Sequence, residues 1–188
     1  MTDQHEKLRN MILVSIFAAI MAILSQIIFN IPISPAPITL QTFGIYLMAL
    51  LLGGPMGALT VLLYLALGAV GLPVFAGGEG GLGVFLGPKG GFLLAFPIAA
   101  FVIGTLISRL DRSKISSYLI AVLPGFLIIF TLGTLQLKFV LSLGLWPALL
   151  AGAIPFLPGE AIKIFFAVYL AFRIGKTGII RYNKNHSI

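Results

Sequence analysis

Apolar residues run along this chain in long stretches without a charge, separated by short clusters of proline, glycine and basic residues. Met11 to Phe29 is the first stretch. At a rise of 1.5 Å per residue a helix over it measures about 28 Å, enough to cross the hydrocarbon core of a bilayer. A secretory signal is the rival reading, because Lys7 and Arg9 precede the run. The run exceeds the usual apolar region of such a signal and no A-x-A site follows, so a retained span is expected. The next stretch, Ile38 to Leu72, is too long for one crossing, and Gly53-Gly54-Pro55 interrupts it. Proline belongs in the first turn of a new helix, so the pattern predicts helices at Ile38 to Leu52 and Met56 to Leu72. Asn30 to Pro37, with Pro32, Pro35 and Pro37, reads as a stiff external loop. Further helices are expected at about Gly90 to Ser108, Tyr118 to Leu141 and Pro158 to Phe172. The period-2 alternation of a membrane barrel is missing. The expected fold is an all-α integral membrane protein of six transmembrane helices, one membrane domain over residues 1–188.

Charge decides between six spans and five. The basic loop with Arg109, Arg112 and Lys114 should face the cytoplasm, as Lys and Arg near span ends do. Two helices within Ile38 to Leu72 put it there together with the amino terminus; a single crossing would put it outside. The tail with Arg173, Lys176, Arg181 and Lys184 then also falls inside, so both termini are expected to be cytoplasmic. Nine of the 12 basic residues lie on that side, the exceptions being Lys89, Lys138 and Lys163. Tyr118 and Trp146 fall where an interfacial aromatic belt would place them.

Composition agrees with lipid as the main solvent. The chain is 59% hydrophobic and 9% charged, with a mean hydropathy of +1.11, values outside the range of soluble domains. Its net charge of +7 does not point to nucleic acid, because the basic residues form no face interleaved with aromatics. Cysteine is absent, and His5 and His186 lie in the tails. That removes disulfides, thiolate nucleophiles and a Ser/His/Asp set, and no metal or cofactor is expected. A nucleotide-binding G-x-x-x-x-G-K-[ST] is also missing. Nothing here equips an enzyme.

A charge at membrane depth costs roughly 2.5 to 3.5 kcal/mol on insertion scales, so it persists mainly where a partner or ligand needs it. That singles out Lys138, Glu160 and Lys163. Glu160 and Lys163 are three apart at the start of the last helix and share a face. The spacing admits two readings: a self-neutralising pair that anchors the helix, and a ligand site beside the free N–H groups of the helix start. Lys138 can join that site or snorkel outward, and its place near a helix end favours snorkelling. The loop Gly71 to Gly91 is rich in glycine and carries Glu79, Lys89, Phe75 and Phe85, with Phe92 just beyond. It reads as a lid whose backbone approaches a ligand closely. Gly78 to Gly83 matches G-x-G-x-x-G by accident, since no βαβ unit surrounds it. Ala18-x-x-x-Ala22 permits close helix approach, most simply for internal packing.

Three segments together carry a family resemblance: Ala18-x-x-x-Ala22, Gly87-Pro88-Lys89-Gly90-Gly91-Phe92, and Pro155-Phe156-Leu157-Pro158-Gly159-Glu160-Ala161-Ile162-Lys163. On these the chain resembles the BioY family, the biotin-binding S components of energy-coupling factor transporters, over nearly its whole length. The resemblance implies six helices with cytoplasmic ends and vitamin capture near the outer face. It also implies docking onto a transmembrane coupling protein that carries two ATPase subunits, with the Ala18 and Ala22 face of helix one as the contact. The family's pattern often has Thr at Lys89 and Asp at Glu160.

With biotin as ligand, Glu160 and Lys163 complement the ureido ring as acceptor and donor. Phe75, Phe85 and Phe92 supply apolar walls, Gly91 lies among the contacting positions, and the ligand carboxylate points toward the lid, where Glu79 and Lys89 stand. Lys163 on the carboxylate is the reverse orientation. A solitary ion-coupled transporter with Glu160 as proton site is the rival function, set against the small size and the lack of an inverted repeat. An intramembrane enzyme lacks nucleophile and metal ligands.

Overall fold

Residues 3–30, 32 and 34–177 are described by a computed structural model; Arg181, Lys184 and His186 of the tail lie outside them. Among the described residues, four helical segments are long and apolar enough to cross a membrane: Gln4–Ser25, Gly90–Arg109, Ile115–Val140 and Leu145–Thr177. In chain order the helices are α1 (Asp3–Ser25), α2 (Gln41–Leu52), α3 (Gly54–Ala69), α4 (Gly83–Leu86), α5 (Gly90–Arg109), α6 (Ile115–Val140), α7 (Leu145–Gly152) and α8 (Leu157–Thr177). A 3-10 turn, Ile154–Phe156, joins α7 to α8.

α1 stops at Ser25, short of the expected Phe29. The Ser25 hydroxyl donates to Ala22 O and to Val74 O at 2.6 Å, which ties the helix end to the segment after α3. Beyond it β1 (Ile28–Phe29) pairs antiparallel with β2 (Ile38–Thr39), Ile28 opposite Thr39. These β-branched and aromatic residues, read as helical from hydropathy, suit a strand better. Thr39 Oγ1 accepts the Gln41 N–H at 3.2 Å, so α2 starts at Gln41 and not at Ile38. Ser142 to Leu157, read from the sequence as a connection, contains the short α7, whose Trp146 is 64% exposed.

α2 and α3 turn at Gly53, whose φ of +85° only glycine adopts without strain, and Pro55 sits in the first turn of α3. Gly104 of α5 touches this corner so closely that a Cβ there would run into the Gly53 and Gly54 backbone. The corner therefore stands beside the Arg109 end of α5. At the opposite end, Thr42 of α2 meets Glu160 of α8, and Gln136 of α6 reaches the carbonyls of Phe85 and Gly87 ahead of α5. Tyr118 of α6 stacks edge-on against Phe172 of α8 at 5.6 Å, near the Arg109 end. The long helices and the α2–α3 pair thus alternate in direction. Between α5 and α6, Ser113 N–H donates to Asp111 Oδ1 at 3.0 Å and holds that carboxyl below its usual range.

The core contains Ile45, Tyr46, Met48, Tyr64, Ile103, Ile107, Ile129 and Leu137, all almost fully buried. Outward faces carry Leu94, Ile98 and Phe101 on α5 and Phe165, Phe166 and Tyr169 on α8, a surface suited to lipid tails.

Candidate functional site

The first turn of α8 aims its acid into the bundle. Glu160 is 1% and Lys163 7% exposed. Lys163 Nζ donates to Glu160 Oε1 at 2.5 Å and to Thr42 Oγ1 at 3.0 Å. α2 supplies the remaining partners, because Thr42 and Tyr46 are one turn apart on the same face. The Thr42 hydroxyl donates to Oε1 and the Tyr46 hydroxyl to Oε2, both at 2.8 Å. A buried ion pair persists only with its charges matched and its lone pairs occupied, and this one meets both conditions. It is not saturated. An ammonium has three donors, of which two are engaged, and Oε2 accepts one bond with room for another.

The pair forms the deep end of a pocket that encloses about 560 Å³ of space, counting its open mouth. Phe75, Phe92, Phe96, Phe130 and Phe156 wall it. The rings of Phe92, Phe130 and Phe156 lie 6.0, 6.4 and 5.8 Å from one another. Thr39 and Gln41 add polar groups from the start of α2. Gln41 Nε2 donates to the Tyr64 hydroxyl at 2.7 Å, and that hydroxyl donates to Val74 O at 3.0 Å. Lys89 lines the pocket at its rim, a quarter exposed, and pairs with Glu79 at 2.8 Å.

This arrangement, a neutral but unsaturated ion pair beneath aromatic walls, suits a small ligand with a polar ring and an apolar body. The sequence matches the BioY family over residues 1–178. The chain belongs to the BioY family. Its relatives include the probable biotin transporter BioY of Pyrococcus horikoshii, 40% identical over 89% of this chain and 97% of that one. The biotin transporter BioY of Thermotoga maritima is 38% identical over 93% of this chain and all of its own length. Among solved structures, the S-component for biotin from an ECF-type ABC transporter superposes with a TM-score of 0.87 at 32% identity, covering 94% of this chain and 95% of that one. The chain is accordingly a mostly helical membrane protein of a transporter family and not an enzyme.

Within this BioY chain, the expected residues Glu160, Lys163, Lys89, Phe75 and Phe92 line one pocket. The other expected positions lie elsewhere. Glu79 reaches the pocket only through Lys89. Phe85 stands behind Phe75, edge-on at 5.5 Å, and supports the wall without forming it. Gly91 faces α6, where a Cβ would come within 2.6 Å of Leu132 O, so its role is close helix approach. Ala18 is 1% exposed and shares the inward stripe of α1 with Val14, Met21 and Ser25, while Ala22 is half-buried. That pair therefore packs inside the bundle, and the outward face of α1 is Met11, Ile12, Ile16, Ile20 and Ile23. Lys138 lies outside the pocket, 5.6 Å from the Phe139 ring centre.

Thr42, Tyr46, Gln41, Phe96, Phe130 and Phe156 were not singled out from sequence. Phe96 was within reach, since it follows Phe92 by one helical turn and must share its face. Thr42 and Tyr46 are uncharged, so a search keyed to the insertion cost of charge passes over them.

Proposed function

We propose that this BioY chain is the substrate-capturing S component of an energy-coupling factor transporter and that it binds biotin from outside the cell. The observation that carries the reading is the buried Glu160–Lys163 pair, with one donor and one acceptor still free at the deep end of an aromatic pocket. A ureido ring offers N–H donors and a C=O acceptor, the complement of those two free positions. The thiophane ring and aliphatic tail fill the space between Phe75, Phe92, Phe96, Phe130 and Phe156. The carboxylate then reaches the rim at Lys89.

Six spans with both termini in the cytoplasm fit this role. Four segments are long enough on their own. α2 and α3 are read as two further spans because their corner lies at the Arg109 end of α5 while the start of α2 lies at the pocket end. Arg109, Arg112, Lys114, Arg173 and Lys176 then share the cytoplasmic end, away from the pocket. The membrane is the plasma membrane of a prokaryote. Because the chain has no P-loop, energy comes from a transmembrane coupling protein and two ATPase subunits. A proton-coupled role for Glu160 is not favoured, since both of its oxygens already hold donors.

The test is calorimetric titration of the purified protein with biotin and with biotin amide. Blocking the carboxylate should weaken binding to the wild type and make no further difference in Lys89→Ala. If Lys89→Ala leaves the acid-to-amide ratio as it was, the orientation is wrong and Lys163 holds the carboxylate.

A further inference from the structure

The Gly71 to Lys89 connection covers the pocket and is fastened in two unlike ways. Its first half is held by neutral, partly buried bonds. Ser25 Oγ donates to Val74 O, Tyr64 OH donates to the same carbonyl, and Gln26 Nε2 donates to Phe75 O at 3.0 Å. Ser25 and Tyr64 are both fully buried, so the two bonds on Val74 O are largely shielded from water, whereas Gln26 is exposed. The Gln26 amide oxygen also accepts the Gly78 N–H at 3.1 Å, which pins the turn that carries Glu79. The second half is held by Gln136, which donates to Phe85 O and Gly87 O, and by the Phe85 ring on Phe75. It ends on one exposed ion pair, Glu79 to Lys89 at 2.8 Å, with Glu79 44% and Lys89 25% exposed. Lys89 lines the pocket and Glu79 does not.

We propose that Glu79 is a built-in stand-in for the ligand's carboxylate: it occupies Lys89 while the pocket is empty and yields it to the incoming anion. This rests on the reading that the carboxylate binds at Lys89. Two anions cannot share one ammonium at contact distance without repelling each other. The exchange is feasible because the pair is exposed, and exposed pairs are weak. The fixed half of the connection keeps Glu79 within reach, so the contact re-forms when the ligand leaves. Glu79 thus sets how strongly the site prefers an acid over its neutral analogue. It restrains acid affinity in exchange for a Lys89 that is never left unpaired.

Biotin and biotin amide titrated against wild type, Glu79→Gln, Lys89→Ala and the double variant test this. Glu79→Gln keeps the shape and a hydrogen-bond acceptor but removes the competing charge. It should tighten biotin by roughly two- to five-fold, the range of an exposed pair, leave the amide unchanged, and have no effect when Lys89 is already alanine. Equal shifts for acid and amide, weaker biotin binding, or an undiminished effect in the Lys89→Ala background would each overturn the proposal. If Lys89→Ala does abolish the acid preference while Glu79→Gln is silent, the competitor role fails and the binding reading stands. If Lys89→Ala is silent, both fail.

Discussion

Two acid–lysine pairs stand at the pocket of this chain, and their surroundings give them different work. Glu160–Lys163 lies at 1% and 7% exposure with Thr42 and Tyr46 completing its bonds. Glu79–Lys89 lies at the rim, where water reaches both partners. In the interior neither charge can be left alone, so the deep pair is fixed and acts as a template of directed donors and acceptors. At the rim the Coulomb energy is small and open to competition, so that pair can exchange partners. On the proposed function, recognition of shape belongs to the first and recognition of net charge to the second.

The sharpest way to break this contrast is to remove one deep partner. Lys163→Met leaves a buried carboxylate without its counter-charge and should cost about 3 to 5 kcal/mol of stability, seen as a lower midpoint of thermal unfolding in detergent, with biotin binding lost. Adding Glu160→Leu should recover most of that stability and none of the binding. If the double variant unfolds as early as the single one, the pair is a structural anchor and the contrast collapses. Tyr46→Phe is a smaller cut. It deprives Oε2 of its donor and should lower stability by about 1.5 to 3 kcal/mol, the range for bonds to charged groups, with weaker biotin binding in the same titration. Salt sharpens the other side of the comparison. Between 0.1 and 1 M the screening length falls from about 10 to about 3 Å, so the affinity of Glu79→Gln for biotin should drop toward that of Lys89→Ala, while the wild type, which exchanges one exposed pair for another, changes less and the amide is unaffected. Smallest of all, Glu79→Ala should change stability by less than about 1 kcal/mol, a shift of less than about 2 to 4 °C on the same melting curve.

The deep pair could be read from sequence because charge in an apolar helix is rare and costly, and because three residues on a helix fix a shared face. The split at Gly53-Gly54-Pro55 could be read for a similar reason, since both residue types restrict the backbone locally. What completes the pair could not. Thr42 and Glu160 are 118 positions apart, and no local pattern says that α2 and α8 meet. Phe130 and Phe156 join Phe92 by the same kind of long-range packing. The small pair Ala18 and Ala22 shows the opposite limit. Sequence reports that a close neighbour is possible on that face, and only the fold shows that the neighbour is internal. Hydropathy also treats strand and helix alike, which is why Ile28, Phe29, Ile38 and Thr39 read as helix ends and stand as a ribbon.

The brevity of α2 has a consequence for transport distance. Its 12 residues amount to about 18 Å, in a hydrocarbon layer about 30 Å thick. On the proposed orientation, which puts the Gly53 corner at the inner boundary, Thr42 and the carboxylate it serves stand well below the outer one. On that reading a vitamin held there lies roughly two-fifths of the way in before any nucleotide is hydrolysed, and the energised step has only the remainder of the path to open.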